Sequence, residues 1–277
     1  MNTLSQRFAG LLTFVVFLAI WSWAAGLVSN QVILPKVQEV GAVLLQPGQD
    51  LLSMGSLFSN ILVSLVRVLL GYIAAVVIAI PLGIVMGYCS LANTLLGDFL
   101  NLFRPIPPLA WVPLVMAWFG IASLADLFGV DRGPWFIYLN NLKYSMIFII
   151  FIGAFYPILT SSIHGVRNVN RVFIDAARVL GASRLDIFLR ILLPAALPSM
   201  VNGMRIGLGI AWMCLVSAEM LPGSISGVGY LITHAYTMAA TDIVVAGMFS
   251  IGITGALMDW LFRCAERRCF AWKKLAR

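Results

Sequence analysis

Six stretches of this chain are long and apolar enough to lie across a bilayer. They run from Phe8 to Val28, Ile61 to Met86, Leu100 to Phe119, Tyr138 to Ser161, Pro198 to Met220 and Ile243 to Cys264. A helix needs about 20 apolar residues to cross the hydrocarbon of a membrane, and each run meets that length. Composition agrees. Of 277 residues, 61% are hydrophobic and 10% charged, against about 25% charged in a soluble domain. Water cannot solvate a surface so short of charge. The expected fold is all-α, a polytopic bundle of about six transmembrane helices. Lipid offers the backbone no partners, so each span must satisfy its own N–H and C=O groups.

The first run outlasts the core of a cleaved signal, about 7–15 residues. Trp21 and Trp23 near its end suit a membrane interface, so it is read as a retained helix. Pro81, Pro105, Pro107, Pro108, Pro113, Pro157 and Gly203 interrupt the later runs, which bundle neighbours can accommodate. Gly83 with Gly87, and Gly203 with Gly207, have the spacing for close helix contact. Internal packing is favoured over a dimer motif. Residues 31–60 are expected along the membrane edge, and residues 120–137 in an external loop with an interfacial turn.

A net charge of +7 raises the question of nucleic acid, and the placement of the cations answers it. One side of the membrane receives Arg7, Arg104, the 162–197 loop and the tail. The loop carries Arg167, Arg171, Arg178, Arg184 and Arg190. The tail carries Arg263, Arg267, Arg268, Lys273, Lys274 and Arg277. The other side has Lys36, Arg132, Lys143 and, at a helix end, Arg67. Lys and Arg accumulate on the cytoplasmic face of membrane proteins, so both termini are expected there. The chain divides into an N-terminal helix with its edge segment (1–60), a core (61–264) and a basic tail (265–277).

Metal chemistry has little support. Cys89, Cys214, Cys264 and Cys269 form no CxxC pair, and His164 and His234 stand alone, read as loop residues near helix ends. No nucleophile–base set falls on one helix. No lysine follows a glycine, so the chain has no phosphate-cradling GxxxxGK loop.

The loop from Val172 to Pro194 reads VFIDAARVLGASRLDIFLRILLP. Val172, Phe173, Ala176, Ala177 and Leu180 make one helical stripe; Leu185, Phe188, Leu189 and Leu192 make a second. Gly181 lies between them and permits a sharp turn. Two short amphipathic helices joined at a glycine elbow are expected, with Asp175 near the start of the first. An amphipathic helix lying on the inner leaflet would share this periodicity.

The spacing of particular residues goes further. Asp175-Ala176-Ala177 is followed after three residues by Gly181, and nine residues later by Ile191, Leu192, Leu193 and Pro194. This resembles the EAA motif of bacterial ABC importer permeases, with Asp175 in place of the usual glutamate. The likeness covers most of the chain, through SLVRVLLGY at 64–72, IPLGIVMG at 80–87, PIPPLAWVPLVMAWFGI at 105–121, GMRIGLGIAWMCLVSAEML at 203–221 and GVGYLI at 227–232. It points to the branch that includes nitrate, bicarbonate, taurine and alkanesulfonate permeases.

The resemblance implies a type I ABC importer transmembrane domain in the inner membrane, working by alternating access as a homodimer. Its partners would be two ATPase subunits, which use ATP and Mg, and a periplasmic or lipid-anchored solute-binding protein. No cofactor is implied in this chain, which would be a transport subunit and not an enzyme. The loop would be a coupling helix seated on the ATPase, through Asp175, Ala176, Ala177, Arg178, Gly181, Ala182, Arg184 and Pro194. A small oxyanion or sulfonate is the expected cargo, with a vitamin or pyrimidine precursor as the alternative. An embedded enzyme or energy-complex subunit would show clustered carboxylates or histidines, and a passive channel would not need the loop.

Arg67, Trp111, Trp118, Trp212, Ser217 and Glu219 are the candidates for lining the path. Arg67 and Glu219 have a second reading as interfacial groups, solvated or mutually paired. The three tryptophans have one as bundle packing. Arg205 is expected to snorkel, and Asp259 to pair with Arg263, one turn away.

Overall fold

The computed structural model of the protein describes residues 3–28, 30–120, 122–130, 132–221 and 223–269. The tail cations Lys273, Lys274 and Arg277 lie outside them, and the described side chains include neither Arg7 nor Cys269. The described residues are helical, apart from turns and two isolated bridges, Asp50 with Ser56 and Ser123 with Lys143. Four helices have the length and apolar character to cross a membrane: Leu57–Tyr88, Tyr144–Arg167, Arg184–Glu219 and Thr241–Arg268. A fifth crossing is broken. The expected single helix over Leu100–Phe119 is instead α4 (Ser90–Phe103), a 3-10 turn at Pro108–Trp111 and α5 (Val112–Phe119), bent by 86°. Pro105, Pro107 and Pro108 remove the donors that would carry the helix through. The first run lies in α1 (Thr3–Val28).

The chain packs as two units. The first comprises residues 1–63 and 224–254. It holds α1, α2 (Val37–Leu45), the start of α3 (Leu57–Tyr88) and α12 (Val228–Thr237). The expected edge segment thus contains a helix of its own. Leu51, Leu57, Leu231, Ala235 and Ile243 form this unit's core. The Asn60 side chain ties it, accepting from the Gly227 amide at 2.8 Å and donating to the Met54 and Ser56 carbonyls.

The second unit comprises residues 64–223 and 255–277. It holds most of α3, then α4, α5, α6 (Leu124–Leu127), α7 (Pro134–Asn140), α8 (Tyr144–Arg167), α9 (Arg171–Val179), α10 (Arg184–Ile187) and α11 (Leu193–Glu219). The end of α13 (Thr241–Cys269) belongs to it too. The expected external loop contains the short helix α6 and the start of α7. His164 lies in the last turn of α8 and His234 within α12, both on helices where loops were expected.

Helix α8 is the centre of the second unit, because small residues let its neighbours reach it. A Cβ added to Gly83 would sit 2.5 Å from Ser162 Cβ, and one on Gly87 2.7 Å from Val166 Cβ. On α11, a Cβ at Gly203 would overlap Ser161, and one at Gly207 would meet Ile158 at 2.9 Å. Both glycine pairs therefore serve packing within the chain. Close backbone approach replaces the hydrophobic drive that lipid cannot supply. The far side of α3 stays apolar and exposed at Val66, Leu69, Ile73 and Val77, while Val68, Tyr72, Ala75 and Ala79 are buried.

Candidate functional site

The loop predicted to carry the function folds as a helix, an elbow and a second helix. The Asn170 side chain caps α9 by accepting from the Val172 amide at 3.0 Å. At the other end the Ala182 amide donates to the Ala177 carbonyl and the Gly181 amide to the Arg178 carbonyl, both at 3.0 Å. This paired closure needs a left-handed residue just past the helix, and Gly181 has φ +79°. The Ser183 hydroxyl then accepts from the Asp186 amide and starts α10. A π turn at Phe188–Leu192 carries α10 into α11 with no break. Extra turns of this kind are frequent at functional sites.

Two sets of side chains leave this loop in opposite directions. Leu192 and Val169 are buried in a core with Val166, Ala196 and Met200. Val172, Phe173, Val179 and Leu180 are exposed, the last two at 88% and 86%. Val179 and Leu180 adjoin the elbow, and Val172 and Phe173 lie at the start of α9. Asp175 and Arg178 pair on the surface at 3.3 Å, and Arg190 with Asp186 at 3.4 Å. Water screens surface pairs of this kind, and they stabilise the loop little. They leave the apolar elbow as the loop's main feature.

Arg67 and Glu219 are brought together and fully buried. The Arg67 guanidinium donates from Nη1 to Glu219 Oε1 at 2.6 Å and from Nε to the Asn141 carbonyl at 2.8 Å. The Ser64 hydroxyl donates to the same carboxylate at 2.8 Å. This network ties α3, the end of α11 and the turn before α8. Close by, the Lys143 ammonium donates to the Gly223 carbonyl. Burial first, and then the Arg67 charge, pull Lys143 below the usual lysine range. Ser64, one helical turn before Arg67, and Asn141, before the α7–α8 turn, were not picked out from the sequence, and Lys143 was noted only as a cation of the outer side.

The other path candidates have their own surroundings, and two of them share a neighbour. Trp111 and Trp118 both stand edge-on to Phe148, with centroids 6.4 and 6.3 Å away. The Trp111 indole N–H is buried with no partner among the described residues. Trp212 is buried on α11, facing Gly255 of α13. Ser217 is half-buried and bonds back to the Met213 carbonyl at 3.1 Å. Arg205, expected to snorkel, instead binds Asp259 at 2.6 Å. Asp259 also holds Arg263, as its spacing predicts. No group of His, Cys, Asp and Glu able to hold a metal occurs among the described residues.

Residues 68–270 match the family described as binding-protein-dependent transport system inner membrane component. The chain belongs to that family. The match takes in the elbow, the central α8 and Glu219, and begins one residue after Arg67.

Curated relatives of this inner membrane component are permeases too. A putative ABC transporter permease protein of Methanocaldococcus jannaschii is 46% identical over 92% of this chain and 88% of its own length. The taurine transport system permease protein of Escherichia coli is 35% identical over 94% and 88%. A putative aliphatic sulfonates transport permease protein of Bacillus subtilis is 32% identical over 95% and 87%. Among solved structures, an inward-facing MetNI methionine ABC transporter aligns with a TM-score of 0.57 and 19% identity. It covers 77% of this chain and 94% of the matched chain, and establishes a shared fold. The resemblance read from the EAA spacing and from the branch-specific stretches holds. The chain is a permease subunit of an ABC importer.

Proposed function

We propose that this permease moves a small sulfonate or oxyanion into the cytoplasm by alternating access, as a homodimer driven by two separate ATPase subunits. The exposed apolar elbow around Gly181 carries this reading. Val179 and Leu180 add nothing to the chain's own core, and a Cβ at Gly181 would meet no atom within 4 Å. A surface that apolar, on a rigidly capped turn, suits a partner protein. Asp175, Ala176, Ala177, Arg178, Ala182 and Arg184 surround it, and Pro194 begins the helix that carries its movement into the bundle. With this loop on the cytoplasmic side, both termini are cytoplasmic. A binding protein delivers the cargo from outside, and Trp111 and Trp118, on the α5–α8 face, are proposed for the path. The taurine and sulfonate permeases among the relatives support the cargo class.

Uptake of labelled taurine and nitrate into proteoliposomes holding permease, ATPase and binding protein tests this. ATP-dependent uptake of at least one is expected. Import of a nitrogen heterocycle with neither anion would overturn the cargo. The double variant Val179→Asp/Leu180→Asp is expected to cut uptake more than about tenfold, the loss that follows when buried interface anchors become charged. It should also release the ATPase on purification while the amount of permease in the membrane stays level. Retention of the ATPase would sink the docking assignment.

A further inference from the structure

A cavity of about 400 Å³ opens where α4 bends into α5, and Arg104 lines it at the bend. Its other walls are the stretch of α8 from Ile152 to Ser161 and the α11 residues Ile206 and Ile210. Those α8 residues lie midway along a 24-residue helix. The cavity is therefore far from either end of a spanning element. The sequence groups Arg104 with the cytoplasmic cations. In the fold it caps α4 at the break and is exposed, which leaves its guanidinium open to a ligand in the cavity.

The chemistry of the lining is one-sided. Among the described residues that line it, Arg104 is the one charged group and none is a carboxylate. Tyr156 and Ser161 add hydroxyl groups. The Thr160 hydroxyl turns back to the Tyr156 carbonyl at 2.8 Å and gives its proton there. The remaining walls are largely aliphatic and offer an anion no second charge. The volume is many times the about 30 Å³ share of one water, enough for a small organic anion. A single arginine with few added donors holds an anion without trapping it, as a path requires.

We propose that this cavity is an anion site on the transport path, with Arg104 supplying the charge that draws a sulfonate or oxyanion off the external side. The assignment rests on the cargo class proposed above. Arg104 contacts the passing anion, and Tyr156 and Ser161 orient it.

The test uses the complete transporter in proteoliposomes, with taurine and nitrate as probes. Arg104→Gln is expected to lower uptake of the transported anion at least about tenfold, the cost of one charge-assisted contact. Stimulation of the ATPase by loaded binding protein should stay within about twofold of wild type. Arg104→Lys should keep several times more uptake than the glutamine variant. Tyr156→Phe, which keeps the arginine, should lower the maximal uptake rate about threefold, the worth of a neutral hydrogen bond. Uptake by Arg104→Gln within about twofold of wild type would overturn the site. So would equal failure of the lysine and glutamine variants with loss of ATPase stimulation, which marks a structural role. If the glutamine variant does not assemble, an unchanged rate in Tyr156→Phe overturns it. Wild-type transport of neither anion would remove the cargo class and this site together. Wild-type transport with an indifferent Arg104 removes the site alone.

Discussion

Replacing Glu219 with glutamine is expected to destabilise the folded permease by about 3–5 kcal/mol, the usual cost of leaving one member of a buried ion pair alone. Arg67 has no exposed surface, and its guanidinium lies 2.6 Å from the Glu219 carboxylate. The Asn141 carbonyl takes one N–H and cannot neutralise the charge. Thermal unfolding of the detergent-purified protein measures the loss, and a transition within 2 °C of wild type would refute it.

The double variant Arg67→Met/Glu219→Met separates charge from shape. Apolar replacement of a whole buried pair is often neutral or stabilising. The double variant should therefore recover most of what Glu219→Gln loses. Failure to recover would mean that the Ser64 and Asn141 bonds matter more than the ion pair. Recovered stability without recovered uptake would instead give the pair a part in transport. The sequence left two readings open for these residues, paired or lining a path, and the structure joins them.

That pair also marks where the sequence stopped being informative. Apolar length placed the spanning helices, because only a continuous run can satisfy its backbone in lipid. The elbow was legible for a local reason: Gly181, Asn170 and Ser183 shape the turns beside them. What sequence could not supply was contact between distant positions. Glu219 and Ser64 are 155 residues apart, and Asp259 meets Arg205 from 54 residues away. The 86° bend after Arg104 was also beyond the sequence, which read Leu100–Phe119 as one continuous helix. The short helices α6, α7 and α12 lacked the length that makes a periodic pattern stand out. Residues 227–232 were noted only as a family stretch.

Gly203→Leu is expected to have the largest effect of any single apolar substitution in the second unit. A Cβ here would overlap the Ser161 side chain and lie 2.9 Å from the Pro157 carbonyl oxygen. That oxygen is backbone and cannot step aside without moving α8. Overpacking of a tight core costs about 1–3 kcal/mol where side chains can adjust, and the upper end applies here. Separating α11 from α8 would also pull Gly207 from its seat on Ile158 and Ala154. Gly209→Ala, two positions further along α11, is the control. A Cβ there meets nothing within 4 Å, and alanine stabilises a helix interior by about 1 kcal/mol over glycine. Unfolding of the two purified variants should shift in opposite directions, Gly203→Leu down by several degrees and Gly209→Ala level or slightly up. Equal destabilisation would point to a second protein surface covering Gly209. A tolerated Gly203→Leu would mean that α8 and α11 are not locked at this crossing, and with it the view of α8 as the fixed centre of the unit would fail.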